Sequence, residues 1–169
     1  MSLTRIIKLQ PEEWAKYKKI RLEALQSDQI AFAITYAQAI LTSDKEWEEK
    51  LANQTSIFLF AAINEEIVGT IGAYLQGKNE PIDTAVIVGV YVHPDYRGQK
   101  IGKKLLQELL QEISSRKGIA TVKLWVSETQ KPARALYESF GFSYIGKEKK
   151  KIKFQGKEYD ELIMKKELA

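Results

Sequence analysis

The sequence predicts a mixed α/β fold: a central, mostly antiparallel seven-stranded sheet, flanked by helices and carrying one splayed parallel pair. Three observations predict it. Apolar or alternating runs bounded by turn residues fill residues 57–93 and return after residue 142. Two helical stripes, near residues 100–116 and 132–140, enclose a single strand-like run between them. A glycine, Gly89, interrupts the longest middle strand, where a bulge would push it away from its neighbour.

Taken in order, residues 3–9 alternate as a short first strand, and Pro11 stands where a helix begins. Trp14, Tyr17, Ile20, Leu22, Ala24 and Leu25 then recur at helical spacing, and a weaker helical region covers residues 29–40. Ser43 and Glu46 have the spacing of a capping box, opening a short helix through Trp47 and Leu51. Residues 57–63 are continuously apolar, as in a buried strand. Residues 64–66 turn the chain into a return strand over 67–75, and a long strand over 83–93 stops at Pro94. The three form an antiparallel meander. Ile101, Leu105, Leu106, Leu109, Leu110 and Ile113 make one apolar stripe of a helix ended by Gly118. A strand over 121–126 follows, and this strand–helix–strand step predicts a right-handed crossover between parallel neighbours. Pro132 opens the last helix, Gly141 stops it, and residues 143–154 and 158–166 form a closing hairpin about Gln155 and Gly156.

At 169 residues, 44% hydrophobic and 28% charged, the chain fits one domain over residues 1–169. The opening residues run straight into the first strand, so no secretory signal is expected. The longest apolar stretch is too short to span a bilayer, and a cytoplasmic protein without a membrane partner is expected. There is no cysteine and one histidine, His93. A thiolate nucleophile is thereby excluded, and metal sites and Ser-His-Asp chemistry are poorly supplied. The net charge of +4 is spread among acids, which argues against a nucleic-acid stripe.

The most informative stretch is residues 91–106. A strand stops at Pro94 and the chain turns through Gly98, Gln99 and Lys100 into a helix whose mouth holds Ile101, Gly102 and Lys103. The first turn of such a helix offers unpaired N–H groups and the positive end of its dipole; Arg97, Lys100, Lys103 and Lys104 add cations. This is an anion site suited to a pyrophosphate. Downstream, Gln130, Ala133, Leu136, Tyr137, Gly141 and Phe142 lie at fixed intervals along the last helix.

The first segment resembles the coenzyme-A-binding motif of the GNAT acetyltransferase superfamily, Arg/Gln-x-x-Gly-x-Gly/Ala, with Arg97 and Gly102 at its ends and Lys100 in place of the middle glycine. The second resembles the family's later motif, Asn-x-x-Ala-x-x-Leu-Tyr-x-x-x-Gly-Phe, with Gln130 in place of the asparagine. Were residue 100 to need a positive φ, a lysine there would cost about 1–2 kcal/mol. The preferred reading makes Lys100 the first ordinary helical residue.

The resemblance implies acetyl-CoA as the acetyl donor, no metal, and a primary amine as the acceptor, which attacks directly in a ternary complex. A homodimer through the last strands is the assembly the family suggests. It implies contacts to the coenzyme from Val90, Tyr91, Val92, Arg97, Gly98, Gln99, Lys100, Ile101, Gly102, Lys103, Gln130, Ala133 and Tyr137, with Tyr137 as general acid for the departing thiolate. Glu128, just past the fifth strand, and Asp83, at the start of the fourth, are the carboxylates at hand for a base, and a water relay is the other route. His93, before Pro94, is read as a loop residue. Phe32, Tyr36 and Trp47 are the aromatic candidates for the amine side. Lysines 147, 149, 151 and 153 would share a solvated strand face. The rival reading is a catalytically silent domain that binds acyl-CoA as a sensor.

Overall fold

The structure, a computed structural model, describes residues 2–28, 34–77 and 81–168, apart from the side chains of Lys150 and Lys151. Seven strands, β1 (Arg5–Ile7), β2 (Ser56–Ile63), β3 (Glu66–Gln76), β4 (Thr84–Val92), β5 (Thr121–Ser127), β6 (Ser143–Phe154) and β7 (Lys157–Glu167), form one sheet. Its order is β1-β2-β3-β4-β5-β7-β6. Every neighbouring pair is antiparallel except β4 and β5, which are parallel, as the sequence predicts.

The helices are α1 (Trp14–Ser27), α2 (Tyr36–Ala39), α3 (Asp44–Ala52), α4 (Ile101–Ser114) and α5 (Lys131–Ser139). The apolar stripe of α4 is buried along its whole length, with Leu105, Leu106, Leu109 and Ile113 fully covered by the sheet. Tyr137 and Phe142 complete that layer. On the opposite face α1 and α3 pack through Tyr17, Ile20, Leu25 and Trp47. The Tyr17 and Trp47 rings meet edge to face at 5.2 Å. The capping box of α3 forms: Glu46 N–H donates to Ser43 Oγ at 3.2 Å, and Ser43 N–H donates to the Glu46 carboxylate at 2.8 Å.

Three expectations change. The first strand is shorter than residues 3–9, because Leu9 turns into the α1-side core. Of the region 29–40, only Tyr36–Ala39 is helical among the described residues; residues 29–33 lie outside them. Lys147, Lys149 and Lys153 are exposed as a solvated face requires, yet two register shifts interrupt β6 against β7.

The feature that positions the site is a break in β4. Thr70 of β3 pairs with Tyr91, but Gly72 pairs with Val88, so β4 carries an extra residue at Gly89 and Val90. Gly89 takes φ 62°, a left-handed conformation that only glycine adopts without cost. The added residue reverses the face: Ala85 and Ile87 bury on the α4 side, whereas Tyr91, of the same parity, buries on the α1 side. Pairing of β4 with β5 ends at Ile87 and Leu124, although both strands continue. Beyond that pair the sheet is open.

Candidate active site

Two cavities meet at this opening. The first, about 670 Å³, lies between the diverging strands and is closed by the first turn of α4 and by α5. Of the residues named for the coenzyme, Val90, Tyr91, Val92, Arg97, Gly98, Lys100, Ile101, Gly102, Lys103, Gln130, Ala133 and Tyr137 line it. Gln99, exposed on the turn, does not. The first intrahelical bond of α4 runs from Lys104 N–H to Lys100 O at 3.0 Å, so the amides of Ile101, Gly102 and Lys103 lie ahead of the ladder. They supply the N–H groups and the positive dipole end of an anion site.

The conformation of Lys100 departs from the preferred reading. It is not the first ordinary helical residue; it caps α4 with φ 63° and ψ 20°, in the left-handed region. The chain must turn sharply from the residues after Pro94 into α4, and two positive-φ positions on either side of Gln99, Gly98 at φ 79° and Lys100 at φ 63°, make that turn. A Cβ added at Gly98 would meet nothing within 4 Å, leaving open space above the turn.

Arg97 braces this loop. Its Nε donates to the carbonyl of Val92 at 2.8 Å and its Nη2 to the Asp28 carboxylate at 2.7 Å, tying the loop to β4 and to the end of α1. His93 is a loop residue as expected: its Nδ1 accepts from Asp95 N–H at 3.1 Å, and its Nε2 lies 3.2 Å from Glu23. Tyr137 is buried, packs edge-on against Phe142 with centroids 6.0 Å apart, and has its phenol pushed well above the ordinary value by that burial.

Both carboxylates expected near the chemistry fall elsewhere. Glu128 lines neither cavity. It lies 3.6 Å from Lys147, which also holds Asp160 at 3.3 Å, because β7 and β6 run beside the end of β5. Asp83 accepts from the Thr84 hydroxyl at 2.8 Å, at the far end of β4.

The second cavity, about 620 Å³, opens on the α1 side, and Ile87, Val88, Gly89 and Trp125 line both. Its walls include Tyr17, Arg21, Trp47, Lys50, Tyr74 and Glu161. Tyr36 is not among them; it packs against the α1-side core, and Phe32 lies outside the described residues. Arg21 and Glu161 are residues that sequence reasoning missed. A signal existed for the first: Arg21 stands within the apolar face formed by Tyr17, Ile20, Ala24 and Leu25. Among the described residues no three His, Cys, Asp or Glu side chains gather as a metal site requires, and no helix is long and apolar enough to cross a membrane.

Residues 14–142 match the model of the acetyltransferase (GNAT) family. The chain belongs to that family. The GNAT fold extends over nearly the whole chain: an acetyltransferase of the GNAT family from Streptococcus pneumoniae superposes with a TM-score of 0.86 at 19% identity, over 98% of this chain and 100% of that one. The ribosomal-protein-S18-alanine N-acetyltransferase of Escherichia coli superposes with a TM-score of 0.72 at 23% identity, over 99% and 95% of the two chains. In sequence, the ribosomal protein bS18-alanine N-acetyltransferase of Escherichia coli K12 is 42% identical over 62 residues, 37% of this chain and 41% of that relative. The sequence match therefore spans less than half the length of that curated relative.

Proposed function

We propose that this GNAT protein transfers an acetyl group from acetyl-CoA to a primary amine by direct attack in a ternary complex. The observation that carries the reading is the opening of β4 from β5 past Ile87 and Leu124, which joins a cavity ending in an anion site to a second cavity at Val88 and Gly89. A sensor would need only the first of the two.

The residues fit the donor. Three amides ahead of the α4 ladder, with Lys100 and Lys103 beside them, suit a pyrophosphate. The edge of β4 beyond Ile87 is not taken by β5, which supports pairing of main-chain groups of Val90, and of the Val92 N–H, with an extended pantetheine arm as an added strand would. Gln130 heads α5 without a side-chain capping bond, leaving its amide for the same arm.

Acetyl-CoA supplies an activated thioester. In the transfer an N–C bond forms and the C–S bond breaks; the ammonium loses two protons, one to solvent and one to the departing sulfur. A backbone N–H near Val90 polarises the carbonyl. Tyr137 returns the proton to sulfur. From ordinary values near 10 and 8.5 that step is uphill by about 2 kcal/mol. Burial lifts the phenol above its ordinary value, and the same wall destabilises the thiolate, which offsets part of that rise. Glu161, a carboxylate lining the second cavity, is the base this reading assigns in place of Glu128, with water completing the relay.

Titration calorimetry with acetyl-CoA, then thiol release against a panel of amines, tests this. Binding with thiol release supports transfer, and Tyr137→Phe should lower kcat about 10²-fold or more with donor affinity kept. Binding without release from any amine supports the sensor. No binding refutes both.

A further inference from the structure

The two cavities join where β4 and β5 part, and one large aromatic side chain stands at that place. Val88 and Gly89 of β4 and Trp125 of β5 line both cavities, together with Ile87. Ile87 and Leu124 are the last residues through which the two strands pair. Trp125 follows Leu124 as Val88 follows Ile87, so it is the first residue of β5 past the closed end of the split. Leu124 and Val126 bury on the α4 side, and strand alternation turns Trp125 the other way. On β4, Gly89 contributes backbone alone. On β5, the indole Nε1–H of Trp125 donates to the Glu148 carboxylate at 3.1 Å, which tethers the ring to β6. The ring nevertheless stays 38% exposed, and of the large apolar side chains left exposed among the described residues it is the one that borders both cavities. A tethered indole with an open apolar face is a wall for an apolar group.

We propose that Trp125 is a specificity-determining residue that limits the transferred acyl group to short chains. This rests on the transfer reading above. With the pyrophosphate at the mouth of α4 and the pantetheine arm along β4 past Val92 and Val90, the acyl group comes next to Gly89 and Val88. There the slot ends, because Ile87 and Leu124 close the sheet immediately beyond. A two-carbon group needs little room past its carbonyl. A longer chain must leave the slot toward the second cavity, past the indole, and there it competes with the amine for space. The bonds exchanged do not change with chain length: the amine's N–C bond to the acyl carbon forms, the thioester C–S bond breaks, and the ammonium's two protons pass one to sulfur and one to solvent. Selection between donors therefore lies in the space past the carbonyl, which Trp125 bounds on the β5 side.

The test is thiol release by the intact chain from acetyl-, propionyl-, butyryl- and hexanoyl-CoA, each with the same acceptor amine. For the wild type, kcat/KM should be about 10-fold or more lower with butyryl-CoA than with acetyl-CoA, the size of an overpacking cost. In Trp125→Ala the butyryl-to-acetyl ratio should rise about 10-fold or more, and hexanoyl-CoA should become a donor. An indole that only packs would, when removed, slow every donor alike and leave the ratio unmoved. Trp125→Phe, a smaller ring without the bond to Glu148, should move the ratio the same way by less, and it decides if the alanine variant does not fold. Hexanoyl-CoA used as well as acetyl-CoA by the wild type, or a chain-length profile unchanged by the substitution, overturns the proposal. Should no amine release thiol from any donor, the transfer reading fails separately, and titration calorimetry of the four thioesters decides the slot. Affinity that does not rise with chain length in the wild type but rises about fourfold per methylene in Trp125→Ala upholds it, the gain of a CH₂ group leaving water. Matching profiles, or no thioester bound, overturn it.

Discussion

Replacing Lys100 by glycine should make the protein more stable and its donor site weaker. Lys100 sits at φ 63° and ψ 20°. An L-residue pays about 1–2 kcal/mol in that region, and glycine pays almost nothing. Glycine returns about 0.4–1 kcal/mol of this through a freer unfolded chain, leaving a net gain of about 0.5–1 kcal/mol. For a chain of this size that is a rise in Tm of about 1–4 °C. The ammonium removed lines the first cavity beside the α4 amides. Solvent-screened charge contacts contribute about 0.2–1 kcal/mol, so the dissociation constant for acetyl-CoA should rise about 1.5- to 5-fold at low salt. Lys100→Ala separates the effects, because alanine keeps the backbone cost and loses the charge. It should bind as weakly as Lys100→Gly while melting with the wild type. Differential scanning calorimetry and titration calorimetry on the three proteins read both quantities. If Lys100→Gly melts no higher than Lys100→Ala, residue 100 is not held in the left-handed region. If neither variant weakens the donor, Lys100 does not face the pyrophosphate.

That lysine shows where sequence reading stops. The fold was legible because its signals are local: the stripe of α4 buries where the 3.6-residue period says, Ser43 and Glu46 cap α3 in the expected way, and Gly89 marks the bulge. Whether residue 100 is helical or left-handed depends on how a strand and a helix must meet across the turn, and a lysine side chain carries no sign of it. The carboxylates failed for a related reason. Glu128 stands next to the cleft along the chain, but its charge partner Lys147 arrives on β6, nineteen positions later, and draws it away. Of the aromatic candidates for the acceptor wall, Trp47 lines the second cavity and Tyr36 does not; the rest of the wall comes from a packed helix face and from β7, brought together only by the sheet. Arg21 was the available clue, as a charge inside an apolar helical stripe.

The remaining predictions concern the opening, a cap and the buried phenols. Gly89→Ala should cost about 1 kcal/mol through its positive φ, since the nearest atom leaves a new methyl ordinary room. Thiol release should fall further than the loss of folded protein explains, as the bulge relaxes. Ser43→Ala removes the cap of α3 and should destabilise by about 1 kcal/mol in urea melts while leaving acetyl-CoA affinity unchanged. Stability should fall steeply in alkali. Burial raises the phenols of both Tyr17 and Tyr137 above their usual 10.0, so each holds its proton more tightly folded than unfolded. Their contribution is therefore fully present below pH 10 and is lost as pH rises from there toward the raised folded values. Across that window the unfolded chain binds fewer protons, and unfolding gains about 1.4 kcal/mol per pH unit from each phenol. Urea midpoints at pH 9, 10.5 and 11 measure the slope, and Tyr137→Phe isolates one share of it from every other group titrating there. A variant whose alkaline slope matched the wild type would mean that Tyr137 ionises as freely folded as unfolded, and that the wall of the first cavity is wet.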